Sequence, residues 1–302
     1  MNKIKKIDIH AHAQPFQQYA VKSLVTNQTF VGPEQVIKFY DEVNVEKGVL
    51  LTLVSPEYQY EQISNNECKY TVDKYPDRFI WFCGLDPKMA ENTGDAKKLS
   101  HIIEHYKSLG AKGVGELTAQ SYVDDPLMDN LFACCSEYDM PVTIHIAPKK
   151  GGYYGIVDDL NLPRLEKVLK KHKNLKILGH SQCFWSEISA DNTNETRGGY
   201  PKGKVIDGTI ARLMRECPNL YCDCSAGSGL NALSRDRDYG ARFMEEFSDR
   251  VLYGLDICSA NNTHQYAHEK FLNEMLDGGY LSEENYYKYV RGNAIKLLKL
   301  ED

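Results

Sequence analysis

Eight short apolar runs, each followed by a segment of helical spacing, constrain this chain more than any other feature. The first ends in Ile7-Asp8-Ile9-His10-Ala11-His12. The others are Gly48 to Val54, Phe79 to Gly84, Ala111 to Glu116, Pro141 to Ile146, Leu175 to His180, Asn219 to Ser225 and Val251 to Asp256. Runs this short and this apolar read as strands buried on both faces. Between them, apolar residues recur with helical period, as in Leu99, Ile102, Ile103 and Tyr106, or Ile206, Ile210, Leu213 and Met214. Pro33, Pro126 and Pro163 suit helix first turns, where a missing N–H costs nothing. Strict alternation implies parallel strands joined by crossovers. Eight units in 302 residues predict one (β/α)8 TIM barrel domain over residues 1–302. A doubly wound open sheet is the alternative, weakened by the lack of Gly-x-Gly-x-x-Gly after the first strand.

A barrel of this kind carries its active site where strands end and βα loops begin. His10 and His12 end the first run, Glu116 the fourth, His145 the fifth, His180 the sixth and Asp256 the eighth. Each is a metal ligand or proton-transfer group by type, and closure would bring these ends together. Strand alternation predicts that Asp8, His10 and His12 share a face, opposite Ile7, Ile9 and Ala11. Two imidazoles on one face can grip one cation. Asp8 is expected to support the site rather than bind the ion. Taken singly, His145 or His180 could be a satisfied core histidine; the set as a whole argues for a metal site.

Composition removes other function classes. A net charge of −6 with no long basic run argues against nucleic acid and anionic membrane surfaces. No apolar run is long enough for a membrane span, and the first residues lack the apolar core of a signal peptide. Nine cysteines without a Cys-x-x-Cys pair read as buried thiols in a reducing compartment, hence a cytoplasmic protein. Cys222-Asp223-Cys224 could be a thiolate pair, but no second pair completes a site. Lys149 to Gly155 reads as a βα loop rather than a phosphate cradle.

The motifs Ile7-Asp8-Ile9-His10-Ala11-His12, Val142-Thr143-Ile144-His145, Ile177-Leu178-Gly179-His180-Ser181 and Val251 to Asp256 resemble the amidohydrolase superfamily. Within it they resemble the amidohydrolase-related branch that also contains metal-dependent decarboxylases. Tyr75-Pro76-Asp77-Arg78-Phe79 and Gly292 to Leu298 look like the same branch, so the resemblance covers nearly the whole chain. It implies that His10, His12 and His145 hold a divalent metal, with Asp256 as ligand or base. His180 would be a second ligand or a proton-transfer group, and Glu116 the carboxylate that bridges two metals in parts of the superfamily. Zinc is the expected metal, one per chain being preferred and two allowed. A bound zinc lowers the pKa of its water to about 7. The implied reaction is hydrolysis of an amide, lactone or ester in a small-molecule substrate. The alternative is a non-oxidative decarboxylase acting on an unsaturated or aromatic acid. Val54-Ser55-Pro56-Glu57 stands where those enzymes carry an arginine, and Glu116 suits a hydrolase better. Trp185, Arg197 and Arg235 fall in predicted loops on the active-site side and are candidate substrate contacts. Barrels of this kind often pair, so a homodimer is expected, though no interface signature stands out.

Overall fold

A computed structural model of the protein describes residues 4–57 and 62–301. The chain runs β1 (Lys6–Ala11), α1 (Pro33–Glu42), β2 (Val45–Leu50), α2 (Asn65–Lys74), β3 (Phe79–Trp81), α3 (Ala96–Ser108), β4 (Val114–Leu117) and α4 (Pro126–Glu137). It continues β5 (Val142–Ala147), β6 (Ile156–Val157), α5 (Pro163–Lys171), β7 (Ile177–His180), α6 (Gln182–Ser186), α7 (Thr209–Glu216), β8 (Leu220–Asp223), α8 (Ala226–Ser234) and α9 (Arg237–Glu246). The last elements are β9 (Val251–Leu252), α10 (His264–Asp277), α11 (Glu283–Tyr287) and α12 (Asn293–Leu298). Among the described residues, no helix is long and apolar enough to cross a membrane.

All the strand pairs are parallel, in the orders β1-β2-β3 and β4-β5-β7-β8-β9, with the short β6 beside β5. Backbone hydrogen bonds close both seams. Gly115 N–H donates to Cys83 O at 3.0 Å, joining the end of β3 to β4, and Ile9 N–H donates to Tyr253 O at 3.0 Å, joining β1 to the end of β9. The result is the (β/α)8 barrel. Helix starts follow local chemistry. The Asp125 carboxylate accepts Leu127 N–H ahead of Pro126, and Ser64 and Glu67 cap α2 reciprocally.

Two apolar layers result. Ile7, Ile9, Val49, Leu51, Phe82, Leu178 and Leu252 fill the barrel interior, and Leu297 and Leu298 of α12 pack against them. A second layer, including Ala11, Leu50, Ile144 and Ile177, lies between strands and helices. Alternation then puts His145 above Thr143, His180 above Leu178 and Asp223 above Tyr221 on the interior side of their strands. The apolar floor ends where the polar cluster begins.

Two expectations shift. The second strand begins at Val45 and ends at Leu50, rather than running from 48 to 54. Residues 51–54 are buried for another reason: Thr52 N–H donates to Gly115 O, and Leu53 exchanges backbone hydrogen bonds with Ile63. An apolar run reports burial, not ladder pairing. The face shared by Asp8, His10 and His12 also fails. The pairing register slips between Asp8 and Ala11, and such a bulge re-aims a side chain. Asp8 faces outward, where its Oδ2 accepts the Tyr40 hydroxyl of α1 at 2.7 Å. His10 turns inward with His12.

Gly48 makes this packing possible. A Cβ there would stand 2.0 Å from the Tyr40 hydroxyl oxygen. Gly48→Ala is therefore expected to cost about 1–3 kcal/mol through overpacking, read as a lowered urea midpoint. An unchanged midpoint would mean that Tyr40 can move without loss.

Candidate metal centre

Three of the four interior histidines are fixed from behind. His10 Nδ1–H donates to Asp223 Oδ2 at 2.6 Å, His12 Nδ1–H to Leu51 O at 3.1 Å, and His180 Nδ1–H to Ser225 Oγ at 3.0 Å. With Nδ1 turned to these partners, each Nε2 faces the middle. Asp8 Oδ1 accepts the N–H groups of His10 at 2.9 Å and Leu255 at 2.8 Å, tying the strand that carries His10 to the segment that carries Asp256.

The Nε2 atoms of His10 and His12 are 3.0 Å apart. Glu116 Oε2 lies 3.8 Å from the first and 3.5 Å from the second, and Asp256 Oδ1 lies 3.6 and 3.7 Å from them. Two ligands of one cation, each about 2.1 Å from it, stand roughly 3.0–3.4 Å apart. His10, His12 and Glu116 therefore surround a space of cation size, and Asp256 borders it together with His180. Glu116 turns its other oxygen to a second set: Oε1 accepts His145 Nδ1–H at 2.7 Å and lies 4.0 Å from His180 Nε2. The 2.7 Å spacing is that of a hydrogen bond, so a cation here would part the pair by a few tenths of an ångström.

The electrostatics of the cluster call for positive charge. Burial opposes an imidazolium at His10, yet the carboxylates of Asp223, Asp256 and Glu116 outweigh it and raise His10 to about 10. Burial likewise opposes ionisation of Glu116, but His145, His12 and His10 hold it well below the usual carboxylate range. Burial, then the charge on His10, lowers His180 to about 4, so it is neutral near pH 7. A divalent cation fits this donor set, with nitrogen and carboxylate oxygen ligands that suit zinc or manganese.

Every strand-end residue singled out from the sequence lies in this cluster. The proposed substrate contacts do not. Trp185 sits in α6, is 2% exposed, and donates its indole N–H to Asp223 O at 2.9 Å. Arg197 is 1% exposed, with Nη1 donating to Asp158 O at 3.0 Å. Both belong to the packing behind the site rather than to exposed loops. Arg235 caps the far end of α8, whose first turn follows Ser225; nine helical residues span about 13 Å.

Sequence reasoning missed Asp223. It ends β8 between two thiols that face elsewhere: Cys222 Sγ lies 3.8 Å from Met214 Sδ, and Cys224 Sγ points to Cys222 O. The strand-end rule that found the other cluster residues would have found it. Carboxylates that hold a metal-binding imidazole typically change metal affinity by about 10–100-fold. Asp223→Asn is expected to weaken zinc binding by that factor in competition with a chelator. Unchanged affinity would show that His10 needs no such support.

The amidohydrolase family profile matches residues 62–300. No curated protein matches the chain. Similar solved structures include an uncharacterised TIM-barrel protein from Bordetella bronchiseptica, 18% identical with TM-score 0.62, covering 98% of this chain and 99% of that one. Another is a probable 2-pyrone-4,6-dicarboxylic acid hydrolase from Acinetobacter baumannii, with citric acid bound, at 13% identity and TM-score 0.59, covering 98% and 100%. A third is a 5-carboxyvanillate decarboxylase from Novosphingobium aromaticivorans, complexed with manganese and a nitrobenzoic acid, at 17% identity and TM-score 0.62, covering 99% and 97%. Likeness at these identities speaks to the barrel alone, whereas the profile spans most of the sequence: the chain belongs to the amidohydrolase family.

Proposed function

We propose that the protein is a metal-dependent hydrolase that adds water to the carbonyl of an amide, lactone or ester. The observation that carries the reading is Glu116, which offers one oxygen to His10 and His12 and the other to His145 and His180. That arrangement fits two cation positions on either side of one carboxylate, which supports two zinc ions per chain where the sequence favours one. Bound there, a divalent cation polarises a carbonyl and acidifies water.

The protein groups divide the remaining work. His10, His12 and Asp256 would hold a cation at the first position, and His145 and His180 one at the second. The Asp256 side chain is 21% exposed, with Oδ2 3.8 Å from His180 Nε2. It accepts the proton that water loses as the new C–O bond forms. It returns that proton to the departing amine or alcohol as the old acyl bond breaks. No arginine or lysine joins the cluster's ion pairs among the described residues.

The test is the zinc-loaded protein offered a panel of lactones, esters and amides beside hydroxylated aromatic acids. Release of acid from the first group is expected. Carbon dioxide from the second group, with nothing from the first, would overturn the hydrolytic reading. Elemental analysis finding one ion per chain would overturn the two-position reading.

A further inference from the structure

We infer that the loop between β1 and α1 is the surface on which two copies of this chain pair, each seating its Leu24-Val25 turn in a cavity of the other. Such pairing does not depend on which bond the metal centre breaks.

The loop is poor in charge and rich in exposed apolar groups. Lys22 is the one charged side chain between His12 and Glu34. Tyr19, Leu24 and Val25 are 84%, 87% and 92% exposed, and Val21 is more than half exposed. Phe16 lies against the exposed Tyr70 of α2, ring centroids 5.0 Å apart. Together these residues expose on the order of 700 Å², taking roughly 150–250 Å² for each when free. That exceeds the ~300–600 Å² of the largest apolar patch on a typical monomer. It approaches the ~800 Å² that each partner gives to a standard interface.

Turn and cavity belong to the same loop. Ser23 shapes the turn: its Oγ accepts Val25 N–H and Thr26 N–H, each at 3.2 Å, and its carbonyl accepts Asn27 N–H at 2.8 Å. A cavity of about 340 Å³ opens beside it, lined by Phe16, Tyr19, Ala20 and Val21 of the loop and by Gln62 and Glu67. Two copies meeting across a two-fold axis can therefore make one contact twice, turn into cavity and cavity around turn. A membrane surface calls for basic residues around the apolar tip, and this loop carries Lys22 alone. A nearly uncharged patch instead suits a second copy of a chain whose net charge is −6, because it keeps like charges out of the interface centre. The base of the loop is tied to the metal-binding cluster. Gln14 N–H donates to Val31 O at 2.9 Å, Val31 N–H donates to Cys258 O at 3.0 Å, and the Phe30 ring lies 5.7 Å from that of His12. Pairing would thus brace the wall of the site beside His12.

The test is sedimentation of the full-length chain at micromolar concentration beside a variant carrying both Leu24→Asp and Val25→Asp. These side chains are exposed in the single chain, so the variant is expected to fold with an unchanged circular dichroism spectrum. Tyr19→Asp, on the cavity side, is a second variant that leaves the turn itself intact. The parent is expected to sediment at twice the chain mass of 34.4 kDa, and each variant at half the parent's mass. A parent that sediments as single chains would overturn the proposal, even if it binds anionic lipid vesicles. Folded variants that stay paired would overturn it as well, since another surface would then join the copies. Open-ended assemblies of the parent would exclude the reciprocal contact.

Discussion

Asp256→Asn is expected to lower turnover of a confirmed substrate by about 10²–10⁴-fold, the range for loss of a general acid–base group, while the barrel stays folded. The residue sits at φ +53, in the left-handed region. Asparagine is among the few residues that tolerate this conformation, so the backbone needs no change. Asp256 N–H donates to His10 O at 2.7 Å, a bond that the substitution keeps. The amide has the size of the carboxylate but cannot take a proton from water. Rates, zinc content and the urea midpoint measured together isolate the effect. Undiminished turnover would remove Asp256 as the proton carrier.

Withdrawal of the cation is the second large effect. Asp223 and Glu116 are buried and ionised beside Asp256, and burial is the largest influence opposing their charge. In the metal-free chain the imidazoles must balance these carboxylates, which is why His10 is raised to about 10. A divalent ion bound by the folded chain alone would balance them directly. Zinc at a thousand times its dissociation constant is therefore expected to add about 4 kcal/mol to stability. Denaturant curves with zinc and with a chelator measure the difference. Coincident curves would mean that the cluster does not take up the ion in the folded state.

Most of the barrel and most of the cluster were legible because burial and strand ends leave local traces. Runs such as Leu175 to His180 carry an apolar floor and a polar tip within six residues, the signature of a strand that crosses the interior and ends at a site. What escaped depended on relations between distant segments. The slip that turns His10 inward arises from the pairing of β1 with β2 and has no sequence mark. Asp223 was hidden by its flanking thiols, which drew attention to sulfur chemistry. Trp185 and Arg197 lie in a stretch rich in Asn, Thr and Gly. That composition conceals both the five-residue helix α6 and a guanidinium anchored on a carbonyl 39 residues earlier. Polar composition predicts a loop but not what the loop's long side chains reach.

Anomalous X-ray diffraction at the zinc absorption edge, from crystals of the zinc-loaded chain, shows whether Glu116 stands between two ions, as proposed. Two peaks are expected at ligand distance from Glu116, one against His10, His12 and Asp256, the other against His145 and His180. Zinc bound elsewhere on the chain, with no peak among these donors, would contradict it.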